Sequence, residues 1–309
     1  RHAAALLRED WDLFITVFHE AHDIGHMCWH VHDTDDERHD AQISARVGDP
    51  LRDIYRALDR AIGSIVDAVP PNTTLIFFSS HGMGPERTAS GFLDEILMLL
   101  EQAYAGQGTV TGIDKLRTVY RSLVPKPLRD GLNRTSVIKG LYERNEKVRH
   151  VNRQFFELSA NHATGGVRLN LAGRERNGRI RPGAEFNALC TRLSSDLQDI
   201  VTLDTDQPLV DSVTATRDLY AGPYQQHFPD LLVEWNKTGP IRRVQSPLFG
   251  TIESHTPRLR TGDHTFKFGF FLATGPGIHA GKLSHTARAV DLAPTWPISE
   301  RICLRRLPS

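Results

Sequence analysis

Asp12-Leu-Phe-Ile-Thr-Val-Phe18 is a short, continuous apolar run rich in β-forming residues, the pattern of a strand covered on both faces in a parallel sheet. A histidine-rich stretch that reads as a loop follows it. From Asp49 to Val69, Leu51, Ile54, Tyr55, Leu58, Ile62, Ile65 and Val66 recur at helical spacing, with Asp49 and Pro50 suited to the N-cap and the first turn. Pro70-Pro71-Asn72 ends that helix, and Thr73 to Ser79 reads as a second buried strand. Gly91 to Ala105 reads as a second helix. Alternating strands and helices predict an α/β protein with a mostly parallel sheet, right-handed crossovers and helices on both faces.

Working outward, Gly166 to Leu171, Asp230 to Trp235 and Phe268 to Ala273 are further strand candidates, and Gly183 to Val201 a further helix. Between Asp114 and Arg153 the pattern changes, with 11 Lys/Arg against 4 Asp/Glu and little periodicity. The predicted organisation is therefore an α/β core over 1–113, an inserted, partly helical basic cap over 114–165, and a continuation of the core over 166–309. The cap reads either as a solvated excursion or as a basic lid that attracts an anionic substrate.

The 309 residues carry 37 Lys+Arg and 37 Asp+Glu, a balance that argues against a nucleic-acid binder. No apolar run approaches the roughly 18 residues of a membrane-spanning helix. Cys28, Cys190 and Cys303 are odd in number and far apart, which favours reduced thiols, and a cytoplasmic setting, over a disulfide framework. Nucleophile elbow, P-loop and dinucleotide fingerprints are missing from the sequence. Arg1 stands where an initiator Met would, which predicts a chain whose upstream part is absent.

Histidine is the unusual residue: 15 in all, seven of them within the first 39 positions. In open α/β sheets ligands gather beyond the carboxyl ends of strands. Three stretches near strand candidates carry histidine: Phe18-His-Glu-Ala-His-Asp-Ile-Gly-His26, Ser79-Ser-His-Gly-Met83, and Gly262-Asp-His264. Imidazoles with nearby carboxylates such as Glu20 and Asp23 suit zinc or manganese, and a catalytic ion needs about three protein ligands with an open position. Glycine beside each histidine, at Gly25, Gly82 and Gly262, lets backbone turn or approach closely there. Each histidine taken singly reads by default as a surface or hydrogen-bonded side chain; it is their joint placement near strands that points to a metal. Asp263 is a candidate acceptor for the ring of His264. Arg168, Arg174 and Glu175 read better as a turn-steadying set than as phosphate contacts, and Asp230 as an anchor at the start of its strand.

Glu20-x-His-x-x-Gly-His-x-x-Trp29, Ser79-x-His-Gly-Met-Gly-Pro85 and Gly262-x-His264 together resemble the alkaline phosphatase superfamily, in its type I phosphodiesterase and nucleotide pyrophosphatase (phosphohydrolase/phosphomutase) branch. Gly166 to Glu175, Leu219-Tyr-Ala-Gly-Pro223, Pro229 to Trp235, Leu272 to Ile278 and Asp291 to Thr295 extend the resemblance over nearly the whole chain. It implies an alkaline phosphatase-like fold and a hydrolase of phosphate esters or nucleotide-like substrates, working with two divalent metal ions, zinc or manganese, beside a Thr or Ser nucleophile. Carried over, His22, His26 and His264 are ligands of one ion and His81 of the other. His22 stands where relatives carry aspartate, with Glu20 a candidate substitute. Ser80 replaces the aspartate before His-Gly-Met, which weakens the second site. The nucleophile is expected upstream of Arg1, and the sequence after Thr295 leaves the family pattern. The competing expectation is a non-catalytic descendant or binding protein that keeps at most one metal.

Overall fold

The computed structural model describes residues 2–89, 91–106, 152–158, 163–253, 260–265, 269–283, 286 and 288. Most of the basic segment, Cys303 and everything from Asp291 onward lie outside these residues. The chain is mixed α/β and divides into two compact units, residues 1–86 with 258–309, and residues 87–257.

In the first unit, α1 (His2–Leu6) is followed by α2 (Glu20–His32), α3 (Ala41–Val47), α4 (Pro50–Val66), β1 (Leu75–Ser79) and β2 (Gly82–Pro85). The second unit contributes α5 (Leu93–Tyr104), β3 (Phe155–Glu157), β4 (Thr164–Leu169), α6 (Ala184–Gln198), β5 (Val201–Thr202), β6 (Gln207–Pro208), β7 (Val210–Ala215), α7 (Thr216–Leu219), β8 (Leu231–Trp235), β9 (Arg243–Ser246) and β10 (Gly250–Glu253). The chain then returns to the first unit as β11 (Gly262–Thr265) and β12 (Phe270–Thr274).

Local chemistry explains the helix starts. The Asp49 carboxylate accepts from Arg52 N at 3.0 Å with Pro50 in the first turn of α4, and Asp40 accepts from Gln42 N and Ile43 N at the start of α3. α4 and α5 form within a few residues of the predicted spans.

The described strand ladders are antiparallel, not parallel. β1 pairs with β12 and β2 with β11, each as a two-stranded sheet, while the second unit holds two four-stranded sheets ordered β10-β9-β5-β6 and β3-β4-β8-β7. The parallel expectation rested on the alternation of strand and helix candidates that begins with Asp12–Phe18. That segment instead runs as non-helical chain without a ladder, leaving Ile15 60% and Val17 74% exposed. β-propensity expresses packing against neighbours, so an apolar run without a pairing partner does not become a strand. β1 takes its partner from the far end of the chain.

The apolar core sits in the second unit. Phe92, Leu93, Ile96, Leu97 and Leu100 of α5 and its N-cap bury with Phe155, Val167, Leu169, Leu193, Leu197, Leu231, Val233 and Trp235. α5 packs on β3 and α6 on β7. Glu175 accepts from Arg168 and Arg174, whose guanidinium also donates to both oxygens of Asp230 at 2.7 Å. Asp230 in turn accepts from Leu169 N at 2.8 Å just before β8, so these residues steady the turn and anchor the strand as the sequence suggests. In the first unit the fully or nearly buried side chains are mostly polar: His26, Asp36, Glu86, Thr261 and Asp263, with Val31 and Leu51 the apolar members among the described residues.

Candidate metal centre

The histidine-rich stretch forms α2 rather than a loop. Residues four apart on a helix share a face, so His22 and His26 stack one turn apart, their rings 4.5 Å from centre to centre. α2 packs against β11 and β2, which brings the remaining histidines to it. His264 is a strand residue, not part of a loop: β11 pairs with β2 so that His264 lies opposite Met83 and Asp263 opposite Gly84. His81 occupies the bend between β1 and β2.

Two glycines allow this approach. A Cβ on Gly262 would stand 2.1 Å from the carbonyl oxygen of Gly25, and one on Gly25 would meet the Met83 side chain at 2.6 Å. Helix and strand therefore touch backbone to backbone beside the histidines.

The result is a cluster of four imidazoles. Ring centres lie 5.0 Å apart for His22 and His264, 4.8 Å for His26 and His264, 4.1 Å for His81 and His264, and 6.0 Å for His22 and His81. One ring nitrogen from each of His22, His26 and His264 falls within 4.8 Å of the other two. His26 Nε2 and His264 Nε2 are 3.1 Å apart. Two imidazole nitrogens on one tetrahedral ion would stand about 3.3 Å apart, given bonds of about 2.0–2.1 Å.

Backbone carbonyls orient two of the rings. His26 Nδ1 donates to Gly262 O at 2.7 Å, which leaves Nε2 with its lone pair facing His264. His81 Nδ1 donates to Gly82 O at 3.0 Å, freeing its Nε2 in the same way. Burial, and then the neighbouring His81 and His26 rings, push the pKa of His264 down to about 4. His22 is lowered by burial and by His26, against the opposing charge of Asp23. Packed imidazoles disfavour one another's protonation, and a neutral imidazole is the form that ligates a cation.

The remaining sequence candidates lie further out. Glu20 and Asp23 are exposed on the first turns of α2, and Ser80 is exposed at the bend. Asp263 is buried next to His264 in β11, and its charge opposes the lowering of the His264 pKa. Trp29 Nε1 donates to Asp33 Oδ2 at 2.9 Å and closes the end of α2. Sequence reasoning passed over His19, the N-cap of α2, whose ring lies 5.5 Å from His22. It also passed over Thr261, a buried residue in contact with both His26 and His30.

No curated protein and no solved structure matches the chain. A family model does, over residues 1–234, a span that contains α2, the His81 bend and all but the last residue of the Pro229 to Trp235 motif. That match and the histidines gathered from separate motifs agree with the resemblance read from the sequence: the chain belongs to the type I phosphodiesterase / nucleotide pyrophosphatase family, within the alkaline phosphatase superfamily.

Proposed function

We propose that His22, His26 and His264 hold a divalent metal ion, with His81 beside them as a donor toward a second, and that the chain serves a phosphoric ester hydrolase acting on phosphodiester or nucleotide-like substrates. The observation that carries this reading is the convergence of three imidazole nitrogens within 4.8 Å from segments more than 230 residues apart in sequence.

The donor set fits the group. Imidazole favours borderline ions of the zinc class, and manganese accepts it less readily. When bound, such an ion polarises a phosphoryl oxygen and stabilises charge that builds on it in the transition state. The chain's own residues prepare that state. Gly262 O holds His26 in the tautomer that presents Nε2, and burial, followed by the neighbouring rings, lowers the pKa of His264 and His22 and so favours their neutral form. All four histidines are neutral donors, so an ion held by them keeps its full charge. Ser80 offers a neutral hydroxyl where relatives carry a carboxylate, which makes the His81 position the weaker one. The free thiols Cys28 and Cys190 favour a reducing compartment, the cytoplasm. No described helix is long and apolar enough to cross a membrane.

Metal analysis of the purified chain, with turnover of bis(p-nitrophenyl) phosphate after zinc or manganese loading, tests this reading. Bound metal that is lost in His264→Ala is the expected result, and diester turnover beside it supports the hydrolase. Metal without turnover favours the non-catalytic alternative that keeps one ion. A chain with no metal, or with unchanged stoichiometry in His264→Ala, refutes the assignment.

A further inference from the structure

One turn beyond His26 on α2, the ring of His30 takes no part in the four-imidazole cluster. Its Nδ1 lies 3.0 Å from Thr261 Oγ1. Thr261 is a hub. Its N–H donates to His26 O at 2.7 Å, and its carbonyl accepts from Glu86 N at 2.8 Å and from Arg38 Nη2 at 2.9 Å. Arg38 is itself fixed by a bidentate pair with the buried Asp36, Nε to Oδ1 and Nη2 to Oδ2, both 2.8 Å. Fork-to-fork pairing of this kind sets direction as well as distance. Burial alone would raise the Asp36 carboxyl, but the Arg38 hydrogen bonds outweigh it and hold Asp36 below the ordinary carboxylate range. The next residue, Gly262, presents its carbonyl to His26 Nδ1, and His264 follows two positions later.

The geometry points to His30, Thr261 and Arg38 as positioning residues: together they clasp the start of β11 to α2, keep the Gly262 carbonyl on His26 Nδ1, and set the separation of the His26 and His264 donors. The inference rests on the reading of those two histidines as metal donors. Four contacts converge on Thr261 from three directions: His30 on the side chain, His26 on the N–H, and Arg38 with Glu86 on the carbonyl. This is more restraint than pairing of β11 with β2 requires, and it ends at the carbonyl that orients a candidate ligand. Partners that orient metal-bound histidines typically change affinity by about 10–100-fold when removed.

The test compares the full chain with Thr261→Val, which keeps the side-chain shape and loses the hydroxyl, and Thr261→Ser, which restores it. Two readouts are taken: the His26 ring tautomer from long-range nitrogen–proton NMR in metal-free protein, and the zinc dissociation constant by titration with zinc chloride alone. In wild type and Thr261→Ser the Nδ1–H tautomer is expected to dominate. In Thr261→Val it should give way to a mixture, with zinc binding weakened about tenfold or more. A Thr261→Val protein with the wild-type tautomer and zinc affinity within about twofold overturns the inference. If wild type binds no zinc while the tautomer still responds to Thr261→Val, the metal reading fails and the clasp stands. Should Thr261→Val not fold, His30→Leu is read by the same two measurements and the same criteria.

Discussion

Replacing Gly262 with alanine adds one methyl group at the closest approach of β11 to α2. The new Cβ would lie 2.1 Å from Gly25 O, and its neighbours there are the Gly25 backbone and Trp29 Cβ, none of which can rotate away as a side chain end can. Relief to an ordinary contact requires β11 and α2 to separate by about 1 Å. That displacement takes the His26 Nδ1 to Gly262 O bond from 2.7 Å to about 3.7 Å, outside hydrogen-bonding range. It takes the His26 and His264 nitrogens from 3.1 Å to about 4 Å, near the limit at which two bonds of about 2 Å to one ion would have to be collinear. Overpacking of this kind costs about 1–3 kcal/mol, and the lost hydrogen bond adds about 1 kcal/mol. Urea titration followed by far-UV circular dichroism should therefore show Gly262→Ala less stable than wild type by roughly 2–4 kcal/mol. Zinc binding at this site should be lost over the concentration range in which wild type saturates. A Gly262→Ala protein within 0.5 kcal/mol of wild type, on the usual scatter for surface substitutions, and with unaltered zinc binding would refute the close approach and the site built on it.

Val17→Asp separates the observed fold from the one its local sequence suggests: at 74% exposure it should shift stability by less than about 0.5 kcal/mol in urea melts, whereas a loss of several kcal/mol would place residues 12–18 in a buried strand after all. Leu97→Ala removes a fully buried side chain of α5 from the second unit's core and should cost about 2–5 kcal/mol by the same titration, with a smaller loss contradicting that packing. Burial, and then the charge of Asp230, push the Cys190 thiol up to about 11, so the folded protein keeps its proton above the ordinary thiol range while the unfolded chain releases it. The unfolded state then binds fewer protons, and stability should fall as pH rises from about 9 toward 11, by up to about 1.4 kcal/mol per pH unit from this group. Cys190→Ala should flatten that decline in pH-dependent urea melts, and an identical slope in the two proteins would exclude the thiol as its cause.

Helices α4 and α5 are legible because apolar period, cap and breaker agree, as at Asp49, Pro50 and Pro70. The four histidines are legible because few residue types ligate metal and each sits in a compact motif. What misleads is pairing. Leu13 to Phe18 has the composition of a buried strand, yet a strand exists only with a neighbour, and a local window does not contain one. The converse holds for Gly82-Met-Gly-Pro85, which lacks every strand preference and becomes β2 because β11 lies beside it. α2 is obscured because histidines occupy the face that apolar residues would mark, so its period is written in imidazole. The contacts of Thr261 with His30 and Arg38 join positions more than 220 apart and leave no trace in spacing.

Thr261 and His264 follow the whole of the second unit in the chain, while their partners on α2 precede it. A ribosome therefore delivers the last of the imidazoles only after some 170 intervening residues, which can already have collapsed around α5 and α6. Closing so long a loop is entropically unfavourable but adds little for each further residue, and an ion that bridges its two ends would recover that entropy as a cross-link does. An ion held by these histidines would accordingly bind only after β11 has reached α2.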